Sequence, residues 1–159
     1  MAPKQMKQMK QTKRLQQRRD IAALLNPRNI VIVGASDKPG NWAERSWNNL
    51  QRYGFKGAVY PINPGRDKVW GSKCYRSFGD LPEKPGHVLV LVPARFVSAT
   101  LKEAAAAGAR SATVISSGFG EHPDPAAIKL GEELGETIRE TGLAVSGPNC
   151  LGNFSGGDR

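Results

Sequence analysis

In the stretch IVIVGASDKPGNWAER, residues 30–45, an apolar run breaks into a glycine-bounded loop and then into a helical pattern. The run NIVIVG (29–34) is rich in β-branched residues, as is typical of a strand covered on both faces. Asn41 can cap the following helix, and Glu44 stands three residues later, as in a capping box. A strand, a loop and a helix in this order favour a phosphate site, since the first amides of the helix point at an anion.

The same alternation of strand and helix continues along the chain. Helical patterns begin at residue 20, at Asn41, near Val97 and at Asp124, and glycine or proline ends each of them. Residues 64–86 are irregular and leave room for only a short helix around SFGDLP. The predicted strands are 29–34, 57–63, 87–93, 111–117 and 143–147. Because helical crossovers join parallel strands, we expect an α/β fold, a doubly wound (Rossmann-like) parallel sheet of about five strands in a single domain.

The composition limits the class of protein. A chain of 159 residues fits one domain with a substantial core, and 39% of its residues are hydrophobic. No run is long enough to span a membrane, and no signal-peptide pattern follows the first residue. Two cysteines, Cys74 and Cys150, imply no disulfide framework. We therefore expect a cytoplasmic protein with no membrane partner.

The net charge of +9 belongs mainly to the first residues of the chain. Residues 1–19 carry seven basic residues and no acidic one, which leaves 16 basic and 14 acidic residues beyond Arg19. This stretch has few large apolar groups, so it cannot bury enough surface to order itself. A basic arm that touches nucleic acid is the alternative interpretation. We predict a disordered basic leader over 1–19, a domain over 20–159 and no nucleic-acid partner.

Five short stretches follow the predicted strands. In open parallel sheets, ligands bind outside the carboxyl ends of the strands, near the reversal of strand order. We therefore expect the site to be built from GASDKPG (34–40), NPGR (63–66), VPA (92–94), SSGFG (116–120) and GPNCLG (147–152).

The first two of these stretches bear on which phosphate is bound. Gly34 permits a tight exit from the strand, but serine at position 36 breaks the dinucleotide fingerprint, and the P-loop pattern is absent as well. NAD sites place a carboxylate after the second strand, whereas Arg66 follows a Pro-Gly turn here. An arginine there suits a further phosphate group, and Lys38 adds a second cation. The pattern is compatible with both NADP and coenzyme A.

Longer stretches of the sequence resemble a known family. LLNPRNIVIVGASDKPGNWAERSWNNL, VYPINPGR, VPARFV, VISSGFGE and GPNCLGN together resemble the CoA-binding domain of the NDP-forming acyl-CoA synthetases. The same domain opens the α subunit of succinyl-CoA synthetase. The resemblance runs from about Leu24 to Phe154. It implies that the chain binds coenzyme A as the N-terminal part of such a ligase.

The resemblance also implies roles for individual residues. The loop after the first strand would wrap the phosphate and pantetheine region, Arg66 would contact CoA, and the PNC turn would lie towards the thiol. The implied binding residues are Gly34, Ser36, Asp37, Lys38, Pro39, Arg66, Val92, Pro93, Ile115, Ser116, Ser117, Asn149 and Cys150.

Catalytic residues are not among those implied. Family enzymes carry a phosphohistidine in the next domain and bind nucleotide in an ATP-grasp module, so these domains or subunits are the implied partners. Neither His87 nor His122 stands at a position that matches the phosphorylated histidine, and no metal-ligand spacing is visible. We therefore expect no independent ligase activity. A CoA-sensing regulatory domain, as in relatives fused to an acetyltransferase, and an NAD(P)-linked oxidoreductase domain are the alternatives.

Overall fold

The computed structural model describes residues 21–121 and 123–153. Five parallel strands form the central sheet, in the order β2-β1-β5-β6-β7. A two-stranded antiparallel hairpin, β3 with β4, stands apart from it. The strands are β1 (Asn29–Val33), β2 (Ala58–Ile62), β3 (Lys68–Val69), β4 (Ser72–Lys73), β5 (His87–Val90), β6 (Ser111–Val114) and β7 (Ala144–Ser146). The predicted parallel sheet of five strands is confirmed.

Three helices join the strands of the central sheet. They are α1 (Trp42–Arg52), α2 (Ala94–Ala106) and α3 (Pro125–Thr141), and residues 21–25 are also helical. Asn41 caps α1 by accepting a hydrogen bond from the Glu44 amide at 2.7 Å, as predicted. The Glu44 carboxylate accepts from the Gly40 amide at 2.6 Å instead of from Asn41, so the capping box is shifted by one residue.

The two faces of the sheet are covered by different elements. Ile30 and Ile32 of β1 point to one face, where Ala43 of α1 packs in the same buried cluster. Val31 and Val33 point to the other face, into the core that includes Val97 and Leu101 of α2 and Leu134 of α3. Helices on both faces confirm that the sheet is doubly wound.

The segment between β2 and β5 is more regular than its composition predicts. The hairpin β3–β4 was missed because its strands of two residues each are too short to show a period. Trp70 and Gly71 form its turn, with φ of 52° and 72°. Trp70 stacks on Trp47 of α1 at a ring-centroid distance of 5.0 Å, so the hairpin extends the core beneath that helix. The short helix predicted near SFGDLP is a 3-10 turn, Phe78–Asp80.

The predicted disordered leader over 1–19 lies outside the described residues, and so does His122. Within the described part of the chain, no helix is both long and apolar enough to cross a membrane.

Candidate functional site

A cleft opens at the carboxyl edge of the sheet, between the ends of β1 and β5. Here the chain leaves β1 towards β2 on one side and leaves β5 towards β6 on the other, so the strand order reverses at this point. The cleft encloses about 430 Å³. Its lining consists of Gly34, Asn41, Trp42, Ala43, Leu91, Val92, Pro93, Ala94, Ile115, Ser116, Ser117, Asn149 and Leu151.

Two helices begin at this cleft. Trp42 and Ala43 form the first turn of α1, and among the hydrogen bonds of the described residues none involves the amide of either. Pro93 precedes α2 and supplies no side-chain cap. Uncapped amides and two helix dipoles therefore direct positive potential into one cleft, which suits an anionic group such as a phosphate.

Close approach of the two strand ends forms the floor of the cleft. The Leu91 amide donates to the Val33 carbonyl at 2.9 Å, directly beside Gly34. Gly34 has a φ of 86°, and a Cβ atom there would lie 2.5 Å from the Leu91 carbonyl oxygen. Only glycine fits this position, which explains why the strand exits into the loop at this residue.

The end of β6 closes one side of the cleft. The Ser116 hydroxyl donates to the Val92 carbonyl at 2.6 Å and thereby fixes the end of β6 to the end of β5, while Ser117 is exposed. The Asn149 amide donates to the Ser116 carbonyl at 3.0 Å, which brings the loop after β7 against the same side. The predicted strands 87–93 and 111–117 end three residues early, at Val90 and Val114, and the residues that follow each strand line the cleft. Leu91 and Ile115 each still donate one backbone hydrogen bond to the neighbouring strand.

The structure divides the predicted site residues into two groups. Seven line the cleft: Gly34, Val92, Pro93, Ile115, Ser116, Ser117 and Asn149. Six do not: Ser36, Asp37, Lys38, Pro39, Arg66 and Cys150.

Most of the second group sits in two adjoining loops beside the cleft. The Asn63 side-chain amide donates to the Ala35 carbonyl at 2.8 Å, which holds the turn after β2 against the loop after β1. The Arg66 guanidinium forms an ion pair with Asp37, and both side chains are partly exposed. Lys38 is exposed, and its amide donates to the Ser36 hydroxyl at 3.2 Å. The ion pair thus places Arg66 against the loop that carries Lys38, at one rim of the cleft, with the Arg66 charge engaged by a carboxylate.

The two cysteines have different surroundings. Cys74 is buried beneath α1, and burial raises the pKa of its thiol, as expected of a packing residue. Cys150 belongs to the loop after β7, and its sulfur lies 3.3 Å from the Ser146 hydroxyl, outside the cleft lining. Within residues 21–121 and 123–153, no group of three or more His, Cys, Asp or Glu side chains could hold a metal ion.

Four lining residues lie outside the five predicted stretches: Asn41, Trp42, Ala43 and Leu91. The capping pattern at Asn41 contained the signal for three of them, since it marks where α1 begins and therefore which amides face the cleft. Leu91 directly precedes the predicted stretch VPA. Ala94 and Leu151 lie within the predicted stretches VPA and GPNCLG, although the resemblance implied no binding role for either residue.

The fold is a doubly wound α/β domain with a cleft at the topological switch point, where folds of this class bind their ligands. Comparison with known proteins narrows this class. The family model described as a CoA binding domain matches residues 28–154. The chain belongs to this family of CoA-binding domains.

Curated relatives and solved structures agree with that assignment. The chain is 36% identical over 136 residues to the α subunit of the ADP-forming acetate–CoA ligase I of Pyrococcus furiosus, covering 83% of this chain and 29% of that protein. It is 36% identical over 132 residues to a trans-feruloyl-CoA synthase from an unknown prokaryotic organism, covering 83% of this chain and 18% of that protein.

Among solved structures, it superposes on the dinucleotide-forming acetyl-coenzyme A synthetase 1 of Ca. Korarchaeum cryptofilum, determined in complex with phosphate and ADP. The TM-score is 0.74 and the identity is 40%, over 82% of this chain and 28% of that one. The chain spans less than a third of the length of each of these three relatives.

Proposed function

We propose that this chain binds coenzyme A in the cleft between β1 and β5, as the CoA-binding part of an ADP-forming acyl-CoA synthetase. The observation that carries the proposal is the convergence of two helix N-termini, α1 and α2, on one cleft at the switch point. Such an arrangement suits a phosphorylated ligand, and the family match identifies CoA as the phosphorylated ligand to test.

The residues that line the cleft suggest which part of CoA each of them contacts. The first amides of α1 suit a phosphate group, whereas Val92 and Ile115 offer apolar surface to the uncharged parts of the molecule. Lys38 and Arg66 stand at the rim, where charge-assisted hydrogen bonds to a further phosphate would add affinity. Asn149 and Cys150 belong to the loop expected to lie towards the thiol, which is the group that CoA supplies to the reaction.

The catalytic steps are assigned to other parts of the ligase. The relatives are three or more times longer than the matched region, and their names describe ligases that act on acetate or on a ferulic acid. We propose that phosphohistidine and ATP-grasp domains or subunits complete the enzyme and select the acid. The proposed location is the cytoplasm, which agrees with two free cysteines, Cys74 and Cys150.

Blocking the cleft tests where CoA binds. Ser117 is exposed and lines the cleft, so Ser117→Trp places an indole in the proposed site without disturbing the core. We expect the Kd for CoA, measured by titration calorimetry, to rise at least tenfold. Ser72→Trp is the matched control, because Ser72 is an exposed serine in the hairpin and lies outside the cleft. Equal affinity of the two variants would place the site elsewhere.

A further inference from the structure

A stripe of buried polar residues crosses the central sheet. It lies on the same face of the sheet as α1. Strand register places His87 beside Ile30, and Thr113 between Leu89 and Ser146, so their side chains share this face. His87, Ser111 and Thr113 are buried, with at most 3% of each residue exposed. Burying a polar group is costly unless it is hydrogen-bonded, so each polar side chain of this stripe should have a partner.

One tautomer of His87 satisfies every group at the inner end of the stripe. Nδ1 lies 2.9 Å from the Ser111 hydroxyl, which also reaches the Gly86 carbonyl at 3.4 Å. With the ring hydrogen on Nδ1, the Ser111 oxygen accepts it and the serine hydrogen is free for the Gly86 carbonyl. In a neutral ring the other nitrogen, Nε2, is then an acceptor, and it receives the Thr113 hydroxyl at 3.1 Å. Burial lowers the pKa of His87 to about 4, which keeps the ring neutral in this arrangement.

The outer end of the stripe reaches the loop after β7. The Asn153 side-chain amide donates to the Thr113 hydroxyl at 2.6 Å, and its carbonyl accepts from the Ser146 hydroxyl at 3.0 Å. Ser146 in turn lies 3.3 Å from the Cys150 sulfur. The donors run in one direction, from the Ser146 hydroxyl through the Asn153 amide and the Thr113 hydroxyl to His87, so each link depends on its neighbours.

Two backbone hydrogen bonds hold the middle of the same loop. The Asn149 amide donates to the Ser116 carbonyl at 3.0 Å, and the Cys150 amide donates to the Val114 carbonyl at 3.2 Å. The loop thus folds back along β6 from the cleft towards Thr113. Asn149 and Leu151, which line the cleft, lie between the turn at residue 147 and the side-chain anchor at Asn153.

We propose that His87, Thr113 and Asn153 are positioning residues that hold the loop 147–153 in the shape that presents Asn149 and Leu151 to the ligand. His87 acts through Thr113. Its unprotonated Nε2 accepts the hydrogen of the Thr113 hydroxyl, so the Thr113 oxygen can accept a hydrogen bond from the Asn153 amide. The effect on CoA affinity rests on the proposed function, whereas the effect on the loop does not.

Hydrogen exchange and CoA titration of one set of variants test the proposal. Thr113→Val removes the central hydroxyl and preserves the side-chain shape, whereas Thr113→Ser retains the hydroxyl. Asn153→Ala removes the exposed end of this series of hydrogen bonds. Because the Asn153 side chain is exposed, its loss does not disturb the core. Thr137→Val is the matched control, because Thr137 is equally buried in α3 and its hydroxyl has no partner among the described residues.

Thr113→Val and Asn153→Ala should each speed exchange of the Asn149 and Cys150 amides at least tenfold and raise the Kd for CoA about fivefold. Thr113→Ser should restore both values, and Thr137→Val should change neither. Unchanged exchange of the two amides in Thr113→Val and Asn153→Ala would overturn the proposal. If the wild-type protein binds no CoA while the two amides respond as expected, the proposed function fails and the positioning of the loop stands.

Discussion

The guanidinium of Arg66 is paired with the carboxylate of Asp37, and this contact ties the turn after β2 to the loop after β1. Both loops carry residues that the family resemblance assigns to CoA. The pair therefore holds a cation at the rim of the cleft while it reduces the charge available to a phosphate.

Removing the charge of Arg66 should weaken CoA binding, whereas removing the charge of Asp37 should strengthen it. Arg66→Ala should weaken binding by roughly 1–3 kcal/mol, the range for hydrogen bonds to charged groups. Asp37→Asn should strengthen binding a few-fold, because the guanidinium is released to the ligand. Calorimetric titration with CoA measures both. Arg76→Ala is the control, since Arg76 pairs with Asp67 in an exposed ion pair outside the cleft; a loss there as large as in Arg66→Ala would refute a specific role for Arg66.

Two glycines that bound the first loop should differ in their tolerance of alanine. Gly40→Ala meets no atom within 4 Å, so only its positive φ of 77° opposes the change, at about 1–2 kcal/mol. Gly34→Ala adds a clash with the Leu91 carbonyl oxygen at 2.5 Å, so we expect a loss of roughly 2–5 kcal/mol. Urea unfolding of the two variants gives the comparison, and equal losses would show that the strand ends are not closely packed.

The stability of the domain should fall in mild acid because of His87. Its pKa is lowered from 6.5 to about 4, so the unfolded chain binds a proton in this range that the folded chain does not. The stabilisation is complete above pH 6.5 and is lost as the pH falls to about 4, by on the order of 3 kcal/mol. His87→Gln should flatten this part of the curve. Parallel pH profiles of urea unfolding for the two proteins would contradict the assignment.

The chain alone should make no acyl-CoA from an acid, CoA and ATP. The resemblance implies a histidine as the carrier of the activated group, yet His87 is buried with both ring nitrogens hydrogen-bonded. Supplying the remaining ligase domains or subunits should restore turnover, measured as acyl-CoA formation. Turnover by the purified chain that disappears in Cys150→Ser would contradict this prediction and make Cys150 a nucleophile.

The sequence predicted the sheet and several residues that line the cleft because both depend on local patterns. β-branched runs bounded by glycine mark the buried parallel strands, and the cap residues Asn41 and Asp124 mark where α1 and α3 begin. The hairpin turn at Trp70 could not be predicted, since a tryptophan at positive φ runs against the usual glycine or asparagine of such turns.

The contacts within the site were harder to predict than its place in the fold. Adjacent strand ends bring Lys38 and Arg66 to one rim, but only the side-chain geometry shows that Asp37 engages Arg66. His87 and Asn153 are 66 positions apart in the sequence, and the strand order together with the loop that folds back along β6 brings them to the two sides of Thr113. Long-range side-chain networks of this kind leave no periodic signal in a single sequence.

Thermal unfolding of the wild-type chain with CoA, NAD or NADP at equal concentration measures whether the domain selects CoA. Ligands that bind the native state raise the melting temperature by mass action. We predict a concentration-dependent rise with CoA and no rise with NAD or NADP. A rise with either nicotinamide nucleotide equal to that with CoA would contradict the account.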